Sequence, residues 1–488
     1  MKRHHLILIF ILVISLFFRS YQAVERFEFA HDGDLYSWIV KDMVVNHHPR
    51  LIGQLTSAPG IFLGGLFYYL LIPFFLLSHM DPIGVILFSL IIGSTTTISY
   101  YFVFSKLFKV EVGLIAASLY AVLLTTVGSD RWIVPTITTN LWVIWYFYTI
   151  LQMTRGNYQV LPLLGILIGL VWHIHIALIP ALIAFPSAII LSKKLPSSKQ
   201  TIQFLIYFFI TSLPFFLSEA KHGFQQTRAL ITNFITPTVG PTGYYKFTLV
   251  LNMISKKINS LLFAPQSFKL TDSVFFVLLI LLSATFLIYK KILLKKELIV
   301  FLVWILGVIS FFGFSHSQIS EYYFSNIEII FLTIISLYLY LFMKSIKHGE
   351  TIVLILLALI AVKNGYYLMN QDFYHKGYLE KKALVDYIKE DSKLKKYPCI
   401  GINYITVPGE NVGFRYLFYL KKIHLIHPSS QIPVYNIVIP DELSKEETKK
   451  FGHIGIIPPT SVPTKEGIEK SCQSPNTNLS DSLFGYVD

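Results

Sequence analysis

Long apolar runs separated by short polar connections dominate the first three quarters of this chain. Runs of about 18 residues recur, and each can cross a hydrocarbon core of about 30 Å as a helix. Only helices and closed barrels can span lipid, and these runs lack the apolar–polar alternation of barrel strands. The pattern predicts about eleven transmembrane helices, at residues 6–24, 83–104, 112–127, 134–152, 160–174, 175–191, 201–217, 272–289, 297–314, 324–343 and 351–367.

A further apolar stretch, residues 60–78, is predicted to lie in the outer interface rather than to cross. Cytoplasmic connections are enriched in Lys and Arg. Basic residues cluster in every second connection between the predicted spans. These connections lie on the same side of the membrane as the basic N-terminus only if this stretch does not cross. Gly60, Gly64, Gly65 and Pro73 suit an irregular, partly buried segment.

Two other segments bear on the topology. Residues 160–191 are short for two helices, and a single tilted span there would reverse every later orientation. The first apolar run could be a signal peptide, but no clear cleavage site follows it, so we expect an uncleaved helix. The predicted outer stretches are 25–58 with the interfacial helix, 128–133, 218–271, 315–323 and the tail after residue 367.

Composition and charge support a membrane protein. The chain is 54% hydrophobic and 14% charged, whereas soluble proteins carry about 25% charged residues. Its net charge is +13, but residues 1–367 hold 26 Lys/Arg against 14 Asp/Glu, while residues 368–488 hold 15 against 14. The excess therefore lies between the apolar runs, and no basic patch with interleaved aromatics indicates a nucleic-acid partner.

The pattern predicts two domains, an all-α transmembrane domain over 1–367 and a small soluble extracytoplasmic α/β domain over 368–488. Both cysteines, Cys399 and Cys472, lie in the second domain, where they can form one disulfide or remain two thiols. The pattern of apolar residues there predicts helices near 376–391 and 411–420 and strands near 398–405, 434–439 and 453–457.

Candidate chemistry concentrates in the first outer stretch, where the sequence reads His31-Asp32-Gly33-Asp34-Leu35-Tyr36. Two carboxylates at a membrane surface can act as a general base or bind a cation. Asp and Gly together are also common turn residues, so a solvated turn is the alternative. The sequence shows no P-loop, Rossmann fingerprint or metal-ligand cluster of convincing spacing, which disfavours direct use of a nucleotide sugar.

This stretch resembles the first outer loop of the lipid-dependent GT-C glycosyltransferases, the superfamily of the protein O-mannosyltransferases and the lipid A aminoarabinose transferase. Their motif is an Asp followed directly by a second acid, with a Tyr four positions after the Asp. Asp32 and Tyr36 match it, whereas Gly33 replaces the second acid and Asp34 stands next to that position. The resemblance implies a GT-C fold and places the catalytic carboxylates at Asp32 and Asp34, with Tyr36 in the substrate site.

Later motifs continue the resemblance through about residue 345. Ser129–Pro135 contains an Arg and a Pro that open the next helix, although Val134 stands where many members have an acid. Trp172–His175 resembles a position where a His caps a pair of short helices, and Leu213–His222 also matches. Transfer from a lipid phosphate also needs side chains that hold the phosphate, the sugar and the acceptor, and the candidates lie in the predicted outer stretches or at the outer ends of helices: Arg131, His175, Lys221, Arg228, Glu321 and Tyr322.

Each of these roles has a plain alternative. Arg131, Lys221 and Arg228 suit a lipid phosphate, because cationic side chains bind phosphate oxygens well, but they can equally snorkel to lipid headgroups. His175 can face a cavity or bond to a neighbouring helix. Glu321 and Tyr322 can line a site or belong to an interfacial aromatic belt.

We therefore predict an enzyme of the plasma membrane that moves a sugar from a polyprenyl-phosphate carrier to an unidentified acceptor at the outer face. Its partners are the donor lipid, the bilayer and a glycan, lipid or protein acceptor. The two carboxylates could bind a divalent cation, and the sequence identifies no cofactor. A transporter or lipid flippase is the main alternative, although no repeated halves with mid-membrane charges are visible. A non-catalytic assembly factor is a third hypothesis.

Overall fold

Helices form most of the structure, as the apolar runs require. The computed structural model describes residues 3–56, 58–235, 242–266, 271, 273–316, 319–373, 375–444 and 449–480. Within these residues the α-helices are α1 (Arg3–Ser20), α2 (His31–Val45), α3 (Leu66–Leu77), α4 (Val85–Leu107), α5 (Val110–Val122), α6 (Leu124–Arg131), α7 (Thr139–Thr154), α8 (Leu161–Ile174), α9 (Ala184–Ser192), α10 (Ser198–Lys221), α11 (Gln225–Ile235), α12 (Gly243–Phe263), α13 (Val274–Tyr289), α14 (Lys295–Phe314), α15 (Glu328–Ser345), α16 (Gly349–Asn370), α17 (Tyr378–Leu394), α18 (Arg415–Leu420), α19 (Lys465–Ser471) and α20 (Thr477–Ser480).

Two small sheets accompany the helices. Strands β1 (Ile52–Leu55) and β2 (Phe62–Gly64) form an antiparallel pair. The second sheet has the order β3 (Gly401–Thr406), β4 (Val434–Ile439), β6 (Ile454–Ile457) and β5 (Lys449–Phe451), with β3 and β4 parallel and the other pairs antiparallel. The tail is therefore an α/β segment, as predicted.

Each predicted span overlaps described helices, which gives an all-α polytopic membrane protein. Five of them coincide with described helices long and apolar enough to cross a bilayer: Pro82–Leu107, Ser198–Lys221, Lys295–Phe314, Glu321–Ser345 and Gly349–Asn370. A sixth coincides with α5 and α6, which are bent by 64° at their junction. The other five coincide with shorter helices. Helix α3, in the stretch predicted to stay at the interface, has 12 residues and extends only about 18 Å.

Close helix packing in the membrane part depends on two glycines. Gly165 and Gly169 lie one turn apart on α8, and a Cβ atom at either position would clash with α10, at the carbonyl of Phe204 and the hydroxyl of Thr211 respectively. Small residues at this spacing let helix backbones approach closely where no hydrophobic effect drives association. Helix α8 ends at Ile174, and a 3₁₀ helix, Ile176–Ile183, continues the chain.

The chain forms two compact units. The apolar unit consists of Met1–Tyr21, Leu51–Phe67 and Ser89–Asn370, and it contains the large apolar core. The loop–tail unit consists of Gln22–Arg50, Tyr68–Phe88 and Gln371–Asp488. The domain boundary predicted at residue 367 thus lies near the start of the last segment, while the loop–tail unit also draws on two early segments. Cys399 and Cys472 form a disulfide in this unit, with Cα atoms 5.6 Å apart.

Candidate functional site

The candidate carboxylates lie in the first turn of α2, which is a helix rather than a solvated turn. Ala30, the residue before the helix, provides no side-chain cap, and Asp32 and Asp34 place negative charge at the helix N-terminus. Carboxylates there interact favourably with the helix dipole. Residues two apart on a helix point about 200° from each other, so the two acids have different surroundings.

Asp34 points into the protein. It is 4% exposed, and its Oδ1 accepts a hydrogen bond of 2.8 Å from the backbone amide of Tyr416 at the start of α18. Burial raises the pKa of Asp34 from 3.8 to about 6, although that hydrogen bond and the charges of Arg415 and Lys381 favour the ionised form. The carboxylate of Asp34 therefore connects α2 to the tail.

Asp32 differs from Asp34 because it is partly exposed. Tyr36, one turn along α2, is fully buried, and its ring packs edge-on against Phe75. Burial, together with the nearby charge of Asp32, raises the pKa of the Tyr36 phenol well above 10. The phenol is therefore a neutral hydrogen-bonding group near a carboxylate that solvent can reach. Asp32 and Tyr36, the two residues that match the family motif, are thus close enough for the charge of Asp32 to act on the Tyr36 phenol.

One face of α2 packs against aromatic and cationic side chains of the tail. The ring of Trp38 lies 5.6 Å from that of Tyr416 and 5.1 Å from that of Tyr419. The ammonium of Lys41 lies 5.3 Å from the Tyr419 ring, and the guanidinium of Arg415 lies 5.9 Å from the Trp38 ring. Cations over aromatic faces are stabilised by the ring quadrupole. The residues that follow the candidate base are therefore held by the tail as well.

In the apolar unit, the loop around Arg131 is organised by a buried ion pair that the sequence analysis missed. Arg19 and Asp130 lie 2.7 Å apart with side chains 1% and 0% exposed. The hydroxyl of Tyr120 also donates to Asp130, at 2.8 Å. Arg131 donates to the carbonyls of Phe18 and Tyr21, at 3.4 and 3.0 Å. Arg131 therefore binds carbonyls at the end of α1, which is compatible with lipid contact but adds a structural role.

His175 caps the 3₁₀ helix that follows α8, in agreement with the resemblance. Its Nδ1 accepts a hydrogen bond of 3.0 Å from the amide of Ala177. Its ring lies 5.4 Å from that of Tyr322 and 5.1 Å from that of Tyr323. The preceding Glu321 is exposed. The structure thus places His175 against Tyr322, which lies in the 3₁₀ helix Glu321–Ile327.

Lys221 and Arg228 are both exposed, at the end of α10 and within α11. The turn between these helices is fixed by Glu219, which is 1% exposed. Its carboxylate accepts from the amides of Gln226 and Thr227 at 3.1 and 2.8 Å. These are amides at the start of α11, so Glu219 satisfies donors that the helix cannot. It therefore positions the helix that carries Arg228.

A second ion pair of the apolar unit also escaped the sequence analysis. Lys257 on α12 lies 3.1 Å from Glu328 at the start of α15, with side chains 16% and 6% exposed. Residues 243–263 belonged to a predicted outer stretch, yet they form a helix whose Val250, Ile254 and Ile258 are buried. That four-residue spacing was the available signal for an amphipathic helix.

Among the described residues, one group has the composition of a metal site. Asp441, Glu442 and His453 offer ligand atoms within 4.8 Å of one another. Asp441 is also paired with Lys450 Nζ at 2.5 Å. A cation would compete with that ammonium for Asp441, which is buried, whereas Glu442 and His453 are exposed. A divalent cation therefore remains a hypothesis.

Comparison with known proteins gives the fold. No known sequence family and no curated protein matches the sequence. The ArnT of Cupriavidus metallidurans, crystallised with undecaprenyl phosphate, superposes with a TM-score of 0.53 at 10% identity and covers 93% of this chain and 98% of its own. The oligosaccharyltransferase of Archaeoglobus fulgidus, crystallised with zinc and sulfate, gives 0.50 at 12% identity over 89% and 68%. The chain therefore has the fold of the GT-C membrane glycosyltransferases.

Proposed function

We propose that this protein is a membrane glycosyltransferase that moves a sugar from a polyprenyl-phosphate carrier to an acceptor at the extracytoplasmic face. Two observations support the proposal: the fold is shared with an enzyme crystallised with undecaprenyl phosphate, and the acidic motif after α1 contains a partly exposed carboxylate. The single observation that carries it is the contrast between Asp32, which solvent reaches, and Asp34, which the tail buries.

In the proposed reaction Asp32 is the general base. An acceptor oxygen attacks the anomeric carbon of the sugar, and its proton passes to the Asp32 carboxylate. The bond from that carbon to the phosphate oxygen breaks, and the lipid phosphate leaves with the electron pair. That leaving group is stable without a proton, so the enzyme needs one base and cations near the phosphate. Arg131, Lys221 and Arg228 are the proposed cationic groups, and His175, Tyr322 and Glu321 the proposed sugar or acceptor contacts.

The transfer assay tests this proposal directly. Purified protein is incubated with a panel of radiolabelled polyprenyl-phosphate sugars, and transfer or slow hydrolysis is measured. Asp32→Asn removes the basicity at constant size and should lower turnover by about 10²–10⁴-fold. Donor-lipid binding should survive, because the carboxylate acts on the acceptor. Glu25→Gln is a matched control, since it neutralises an exposed acid of the same stretch. Normal transfer by Asp32→Asn would reject this base.

We also propose that the loop–tail unit faces the extracytoplasmic side. Its Cys399–Cys472 disulfide supports this orientation, because disulfides persist in oxidising compartments. The charge pattern predicts the same orientation. Reporter fusions after Lys296 should report the cytoplasm, and fusions after Tyr378 the outer side. A cytoplasmic signal at Tyr378 would mean that 60–78 crosses or that 160–191 crosses only once.

A further inference from the structure

The backbone that leads into α2 is held by the first turns of α17. The amide of Tyr378 donates to the carbonyl of Phe27 at 2.8 Å, and Lys381 Nζ donates to the carbonyl of Phe29 at 3.0 Å. The rings of Phe27, Phe29 and Tyr378 pack on one another. Asp32 follows Phe29 by only three positions. These contacts therefore fix the chain directly before the candidate base.

Lys381 is a costly residue for a buried position. Its side chain is 5% exposed, donates a second hydrogen bond of 2.9 Å to the carbonyl of Val412, and lies 5.2 Å from the centre of the Phe414 ring. Burial lowers the pKa of Lys381 to about 8, although the charge of Asp34 favours the ammonium. An apolar side chain could fill such a volume without the desolvation cost. The hydrogen bonds to two carbonyls are what the ammonium specifically provides.

The backbone around this ammonium is strained and tightly fitted. Phe29 has a φ of +37°, a region that non-glycine residues occupy only when their surroundings impose it. Gly413 has a φ of +82°, and a Cβ there would clash with the Phe29 carbonyl and approach Lys381 Nζ to 2.7 Å. A glycine is therefore required where the tail meets the segment before α2.

A second connection holds the first turn of α2 itself. Asp34 accepts the amide of Tyr416, so its carboxylate is occupied by the tail rather than directed to solvent. Asp32 lies between the two connections, three residues after Phe29 and two before Asp34. Its backbone is thus fixed on both sides in sequence by groups that themselves point away from solvent.

We propose that Lys381 and Asp34 are positioning residues, through which the tail fixes residues 29–34 so that Asp32 presents its carboxylate in one orientation. This inference rests on the proposed function, because it concerns the geometry of the proposed base. Neither residue contacts substrate or takes a proton in the reaction. A purely structural role would instead lower the amount of folded protein and leave turnover per folded molecule unchanged.

The main test replaces Lys381 by Met, which keeps the length of the side chain and removes the donor. Lys389→Met, an exposed position on the same helix, is the matched control. Turnover should fall roughly 10- to 100-fold in Lys381→Met, since a misplacement of about 1 Å has this effect. The KM for the donor lipid should change by less than about twofold, because the donor does not touch Lys381. A turnover within about twofold of wild type in folded Lys381→Met would overturn the inference.

A second measurement does not depend on activity. Hydrogen–deuterium exchange of peptides covering residues 27–38 should accelerate in Lys381→Met and stay unchanged in Lys389→Met. If Lys381→Met does not fold, Asp34→Ala and Asp34→Asn provide the same test, since only the amide keeps an acceptor for Tyr416. Asp34→Ala should then lose more turnover than Asp34→Asn, and equal losses would count against positioning.

The outcomes separate the two proposals. Wild-type protein that transfers and hydrolyses no donor of the panel would reject the proposed function, while the exchange experiment would still report whether Lys381 fixes residues 27–38. An active wild type with an equally active Lys381→Met would reject only the positioning role.

Discussion

The burial of Asp34 makes the stability of the loop–tail unit depend on pH in an unusual direction. Its folded pKa of about 6 exceeds the ordinary value of 3.8, so folding favours the protonated carboxyl. This contribution to stability is fully present below pH 3.8 and is lost as the pH rises through 6. The total is about 3 kcal/mol, since each unit of pKa shift corresponds to about 1.36 kcal/mol. The folded pKa already includes four contributions that favour the ionised carboxylate, namely the hydrogen bond from Tyr416 and the charges of Arg415, Lys381 and His31.

Asp34→Asn isolates the effect, because the amide can still accept the Tyr416 hydrogen bond but does not titrate. Between pH 4 and 7.5 the opening equilibrium of wild type should rise roughly 60-fold relative to the variant. Hydrogen–deuterium exchange of peptides over 414–420, compared between the two proteins at each pH, measures this ratio. Peptides from α15 are the internal control. A ratio that does not change with pH would refute the burial argument, and a ratio that falls would reverse its sign.

Three further perturbations have defined outcomes. Replacing both Cys399 and Cys472 by Ala opens a loop of 73 residues and should destabilise the loop–tail unit by about 4 kcal/mol. Urea unfolding measures this loss, and an unchanged unfolding midpoint would argue against the disulfide. Asp130→Asn leaves the buried Arg19 charge uncompensated and should lower the free energy of unfolding by about 3–5 kcal/mol. The melting temperature in detergent should fall accordingly, and an unchanged melting temperature would indicate that the pair is not buried. Gly64→Ala puts a methyl group where the His173 imidazole lies, costing about 1–3 kcal/mol, and a normal melt would contradict that packing.

The helices and part of the tail could be predicted because their signals are local. The strand predicted at 434–439 is β4 with the same bounds, and the helix predicted near 376–391 is α17. Continuous apolar runs and alternating short runs each specify an element without reference to the rest of the chain. The helix from 243 to 263 was missed because its apolar positions form a stripe rather than a run.

The different burial of Asp32 and Asp34 could not be predicted in the same way. The sequence places both acids in one motif, and only the helical conformation turns them to different surroundings. The partner that buries Asp34 lies 382 residues away in the chain. No local pattern encodes such a contact, and the same holds for Arg19 with Asp130, 111 residues apart.

The composition of the loop–tail unit from early and late segments has a consequence for biosynthesis. Ribosomes add about 5–20 residues per second, so the 382 residues between Asp34 and Tyr416 take roughly 20 to 80 s to make. During that time the strained segment around Phe29 has neither its ammonium nor its disulfide-bearing partner. A nascent chain that carries every predicted span but not α17 and α18 would therefore be inserted and yet lack a formed acidic site. Under the proposed positioning role, the segment around Asp32 is thus fixed only after α17 and α18 have been synthesised.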